Sequence, residues 1–114
     1  GVVRLVPFCF AVVGDRLVSA VDHKPKRTTR LGRLDDIAAT GSATVLVDHY
    51  EDDWDRLWWV RIRGAAAVHG DDEPVAIAAR SALAAKYPQY RQHPPAGPVY
   101  SVRLDEWAWW RPQS

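Results

Sequence analysis

With 114 residues and a formal net charge of +1, the chain has the size of one domain and a near-neutral balance. That balance gives no whole-protein field favouring nucleic acid. A single cysteine excludes an intramolecular disulfide and fits a reducing, cytoplasmic setting, and no run of about 18 apolar residues is present to span a membrane.

The chain opens on Gly1, holds no methionine and runs straight into a strand pattern. A native start, with any targeting signal, is therefore expected upstream. Val2 to Val13 reads as a strand rich in Val and Phe, with Pro7 tolerated at an edge or bulge. Gly14-Asp15 between two apolar runs predicts a hairpin with a second strand from Arg16 to Val21.

The next stretch, Asp22 to Arg30, is the most basic of the chain. Helix N-termini carry positive partial charge and normally attract acids. Here Lys24, Lys26, Arg27 and Arg30 crowd the approach to a helix, and no acid appears until Asp35. Pro25 holds Lys24 extended. Four cations, two Thr hydroxyls and free backbone N–H groups suit a phosphate. The plain alternative is a solvated basic loop.

From Thr28 onward the apolar spacing becomes helical: Leu31, Leu34, Ile37, Ala38. Thr28 or Thr29 is the expected N-cap and Gly41 the stop. Gly32 inside that helix costs about 1 kcal/mol against Ala, so the helix is expected to be short and held by packing. Ala43 to His49 reads as a strand and Tyr50 to Asp55 as an acidic loop. Arg56 to His69 is the longest strand, with Trp58, Val60 and Ile62 on one face and Trp59, Arg61 and Arg63 on the other. Gly64 marks a bend or bulge. Asp71 or Asp72 is expected to cap a helix from Glu73 to Lys86, with Pro74 in its first turn and Val75, Ala78, Ala79, Ala82 and Leu83 facing inward. Pro88 to Pro98 reads as a connector, and Val99 to Trp107 as a last strand before Ala108-Trp109-Trp110. The order β-β-α-β-β-α-β predicts a mostly β, antiparallel barrel or sandwich with short helices at its rim. Most of the six Trp residues are expected in core and dimer contacts.

Conventional catalytic constellations are missing from the sequence. Ser19 and Ser101 sit in strands, Ser42 follows a helix, and none lies in a nucleophile elbow. Cys9 reads as a small core hydrophobe. His23, His49, His69 and His93 lack zinc-site spacing, the acidic loop lacks a calcium pattern, and Walker and dinucleotide glycine patterns are absent. No metal site is expected. A basic run beside Trp residues could bind single-stranded nucleic acid, but the run is short and carries no recognised motif. A bound cofactor that supplies the reactivity remains, needing a phosphate grip, a flat apolar slot and a substrate opening.

Val6-Pro7-Phe8-Cys9-Phe10 before a hairpin, the run Ser19 to Thr28, Leu46-Val47-Asp48-His49-Tyr50, and Arg56-Leu57-Trp58-Trp59-Val60-Arg61 with Gly64 together resemble the split-barrel flavin and deazaflavin oxidoreductases. More narrowly they are similar to the pyridoxamine 5'-phosphate oxidase-like, coenzyme F420-dependent actinobacterial branch. The resemblance implies a six-stranded Greek-key FMN-binding split barrel that works as a homodimer, with the cofactor in grooves at the dimer interface. It implies a helix and one strand ahead of the equivalent of Gly1, absent from this sequence. Carried onto these residues, it implies that Lys24, Pro25, Lys26, Arg27 and Thr28, with Arg30, grip the cofactor phosphate. Val6, Pro7 and Phe8 would lie along the ring, and Trp59 and Arg61 would approach from the long strand. The implied activity is hydride transfer between F420 and a small organic substrate. The alternatives are an FMN-binding oxidase and a non-enzymatic dimeric binding module.

Overall fold

The computed structural model describes residues 5–21 and 32–112. Its elements are β1 (Ala11–Val13), β2 (Arg16–Ala20), α1 (Gly32–Thr40), β3 (Ser42–His49), β4 (Trp58–His69), α2 (Pro74–Lys86), α3 (Pro88–Gln92), β5 (Val99–Arg103) and β6 (Glu106–Trp110), with one 3-10 turn at Trp54–Arg56. The class is mostly β, as expected, and every strand pair is antiparallel. The sheet runs β1-β2-β5-β4-β3, with β6 also on β4. Among the described residues, no helix is long and apolar enough to cross a membrane.

β4 is the element on which the rest is arranged. Its first half sits between β3 and β6, and its second half pairs with β5. The switch falls at Gly64. Arg63 pairs with Glu106 and Ala66 with Val102, so Gly64 and Ala65 face three residues, Arg103, Leu104 and Asp105. That mismatch is a bulge. A Cβ on Gly64 would lie 1.9 Å from the Arg103 carbonyl oxygen, so only glycine permits the approach. Asp105 Oδ2 accepts the Ala65 N–H at 3.1 Å, satisfying a donor that the bulge takes out of the ladder.

The sheet is covered differently on its two sides. Beneath α2, Ala76, Ala79 and Leu83 meet Ala11, Val18, Ala20 and Val99. On the other side Leu17, Val45, Ile62, Tyr100 and Val102 pack with Ile37 of α1. Leu17 and Val18 point to opposite faces and both are buried, which is why β2 lacks the polar alternation of a half-exposed strand. α1 stops where expected. Gly41 takes φ +66 and its N–H reaches the Ile37 carbonyl at 2.8 Å.

Several expectations need correction. The first strand covers only Ala11–Val13 within the described part of Val2 to Val13. Pro7 offers no donor, and Phe10 turns its backbone to side chains: its N–H donates to the Tyr87 hydroxyl at 3.2 Å, and its carbonyl accepts from that hydroxyl and from Lys86 Nζ. The cap of α2 is Glu73, not Asp71 or Asp72, and no side-chain cap bond is made. The last strand is two strands, because the bulge opposite Gly64 interrupts it. The Pro88 to Pro98 connector contains the short helix α3. None of the six Trp residues is buried, so they are not core. The expected N-caps Thr28 and Thr29 lie outside the described residues.

Candidate functional site

A groove of about 1380 Å³ runs along the edge of β3 that pairs with no other strand among the described residues. Val6, Pro7 and Phe8 form part of one wall, and Trp59 and Arg61 of β4 form part of another. Two separate expected site segments, some fifty positions apart in sequence, therefore meet in one groove. They reach it from opposite faces of the sheet. Phe8 packs on the cluster that holds Val45 and Ile62, with its ring 6.2 Å from Tyr100. Trp59 and Arg61 stand on the other face by strand alternation. Register puts Arg61 opposite Leu46 of β3 and Ala108 of β6, and Trp59 opposite Asp48 and Trp110.

The charges that line the groove on this face are the Arg61 and Arg63 guanidiniums and, opposite Trp59, the Asp48 carboxylate. The Arg61 guanidinium lies 5.9 Å from the Trp59 ring centroid, a cation–π distance, and no carboxylate pairs with it among the described residues. Arg63, two positions on, is exposed on the same face and lines the same groove. It was not among the expected site residues, although strand alternation with Arg61 pointed to it.

The Phe8 wall is held from behind. Besides the Phe10 contacts, Ser19 Oγ donates to the Cys9 carbonyl at 2.6 Å, and Lys86 Nζ sits 3.7 Å from the Phe10 ring centroid. Cys9 itself is a half-buried free thiol.

The expected phosphate-grip residues Lys24, Pro25, Lys26, Arg27, Thr28 and Arg30 lie outside the described residues. The helix they lead into does border the groove, through Asp36, Ile37 and Thr40.

A second hollow of about 1160 Å³ opens at the β4–β6 end of the same half-sheet. Trp58, Trp109 and Trp110 line it with His49, Arg56 and Arg111. The His49 ring stacks on Trp58 at 6.2 Å and 17°, and Glu51 binds His49 Nε2 and lies 3.7 Å from Arg56. The expected acidic loop of 50–55 ends in the Trp54–Arg56 turn, and its Glu51 faces the basic groups of His49 and Arg56.

One constellation escaped the sequence reading altogether. Ser101, a strand residue outside any nucleophile elbow, has a base beside it. In the structure its Oγ is 2.7 Å from His69 Nε2, and His69 Nδ1 is 3.1 Å from Glu73 Oε1. The outline is that of a Ser-His-carboxylate relay. Ser101 is only 3% exposed, however, and lines neither hollow described above. The group ties β4 and β5 to the start of α2. The Gly70 N–H and then His69 hold the Glu73 carboxyl below its ordinary value. No local motif signalled it, because the three residues meet only through the β4–β5 register and the α2 start.

No family model matches the chain, and no curated protein matches it.

Proposed function

We propose that the protein is a deazaflavin (coenzyme F420)-dependent oxidoreductase of the split-barrel type, acting in the cytoplasm as a homodimer. The observation that carries this reading is the groove itself: it unites Val6, Pro7 and Phe8 with Trp59 and Arg61, the residues the family resemblance singles out. The antiparallel six-stranded sheet, with β4 serving two halves, supports a split Greek-key barrel.

The residues fit such a cofactor. Phe8 on one face of the sheet, and Trp59 with Leu46 on the other, each offer apolar surface along the groove. Arg61 and Arg63 line the groove as cations available to an acidic tail, and Lys24, Lys26 and Arg27 add charge in the adjoining sequence. A cofactor with a phosphate and several carboxylates makes better use of that many cations than a single FMN phosphate does. The chemistry such a cofactor supplies is hydride transfer between its ring carbon and an unsaturated substrate. The chain's own part is binding, orientation and exclusion of water, with no covalent step.

The test is a titration of the full chain against F420 and FMN. Saturable F420 binding that is lost in the Lys24→Ala, Arg27→Ala double variant supports the reading. Tight FMN binding with none for F420 transfers it to an FMN oxidase. Binding of neither removes it.

A further inference from the structure

We propose that the hollow at the β4–β6 end is a binding site for a planar, aromatic or conjugated organic anion. As a substrate subsite it rests on the oxidoreductase reading; as a binding site it stands alone.

Three observations converge on it. First, its walls are aromatic and accessible. Trp58, Trp109 and Trp110 are 41%, 64% and 43% exposed, an unusual use of large apolar rings on a short chain. Trp109 stands opposite Val60, which places it on the same face as Trp58 and diagonal to it, about 7–8 Å away between backbones. Rings at that spacing reach one flat ligand together.

Second, the hollow carries a cation with no carboxylate of its own. Arg111 sits 5.8 Å from the Trp109 ring centroid, and no acid pairs with it among the described residues. The other charges nearby are engaged or weaker claimants. Glu51 is shared by His49 and Arg56. Asp55 lines the hollow and is the one acid there that would oppose an anion. A guanidinium beside an indole recognises a carboxylate through its donor fork while the ring stacks on the ligand's plane.

Third, the hollow continues the larger groove. His49, Leu57, Trp58 and Trp110 line both. A ligand here therefore borders whatever occupies the Val6–Phe8 and Trp59–Arg61 groove. That is the place a substrate must take if the groove holds a redox ring, since reacting atoms must come within about 3–3.5 Å of each other.

The experiment uses three probes that share one ring and differ in charge: 2-naphthoate, 2-naphthamide and 2-naphthylmethylammonium. Each is titrated calorimetrically into the full chain, with and without saturating F420. The expected order is naphthoate, amide, ammonium, with naphthoate at least about 5-fold tighter than the amide, in line with a modest charge-assisted hydrogen bond. Arg111→Gln should abolish the preference for the anion while leaving amide binding in place. Trp109→Ala should weaken all three about 10-fold or more, with the melting temperature unchanged, as Trp109 is surface-exposed. Trp54→Ala, 71% exposed and outside the hollow, should change nothing. No naphthoate binding, no dependence on probe charge, or no effect of Trp109→Ala would overturn the proposal. Naphthoate binding that needs Trp109 in a protein that binds no F420 would sustain this site and remove the oxidoreductase reading. F420 binding with no naphthoate binding in either condition would do the reverse.

Discussion

His69 Nε2 lies 2.7 Å from Ser101 Oγ, across the β4–β5 ladder and out of reach of either hollow. With Nδ1 turned to the Glu73 carboxylate, the ring carries its proton on Nδ1 in the neutral state and accepts from the serine hydroxyl. The burial of Ser101 makes this a strut and not a nucleophile. Ser101→Ala leaves a half-buried ring nitrogen without its partner and should cost about 1–3 kcal/mol in chemical denaturation. A fluorophosphonate should fail to label the wild type, and F420 affinity should not change in the variant. Labelling at Ser101 would show that the serine acts as a nucleophile and overturn its role as a strut.

Glu73 gives that strut a pH dependence. Its carboxyl titrates lower in the folded chain than its ordinary 4.5, chiefly through the Gly70 N–H and next through His69. A depressed folded value means that the contribution is complete above the unfolded value and disappears as pH falls through the folded one. The gap in melting temperature between wild type and Glu73→Gln should therefore be open at pH 7 and narrow progressively below pH 4.5. An equal gap at every pH would show that the charge is not what Glu73 contributes.

Gly64 should tolerate no side chain. Its virtual Cβ meets backbone, the Arg103 carbonyl at 1.9 Å, and backbone cannot rotate aside as a side-chain tip can. Gly64→Ala should cost about 3 kcal/mol, at the upper end of ordinary overpacking. Asp105→Ala removes the acceptor for the exposed Ala65 N–H and an exposed ion pair with Arg103, and should cost about 1 kcal/mol. Similar losses for both variants in urea melts would contradict the bulge as the site of strain.

The groove wall should respond to a residue that does not line it. The Tyr87 hydroxyl accepts from the Phe10 N–H and donates to its carbonyl, two residues from Phe8. Tyr87→Phe should raise hydrogen exchange at the Phe10 amide and weaken F420 binding several-fold. A change in exchange with no change in affinity would separate the wall from the binding site.

Much of the local structure was legible from spacing. Gly14-Asp15 turns the hairpin, Gly41 ends α1, and alternation along 58–63 sorts Val60 and Ile62 from Trp59, Arg61 and Arg63. These signals act over a few residues and are written in backbone preference and periodicity. The break at Leu104–Asp105 was not legible, because it is caused by Gly64, forty positions earlier, on a strand whose pairing is non-local.

A mostly β class, the hairpin and helix stops, and the alternation that sends Trp59 and Arg61 away from the core are all carried by the sequence. Local sterics and the burial of apolar side chains suffice for that. Only the tertiary structure decided which distant residues meet. It brought Val6–Phe8 to the same groove as Trp59 and Arg61, and set Trp109 beside Trp58 at an open hollow. It also placed Ser101 against His69, and left every tryptophan outside the core. Those outcomes depend on strand register and on how β4 passes from one half of the sheet to the other, and register is a property of long-range packing that no local pattern carries.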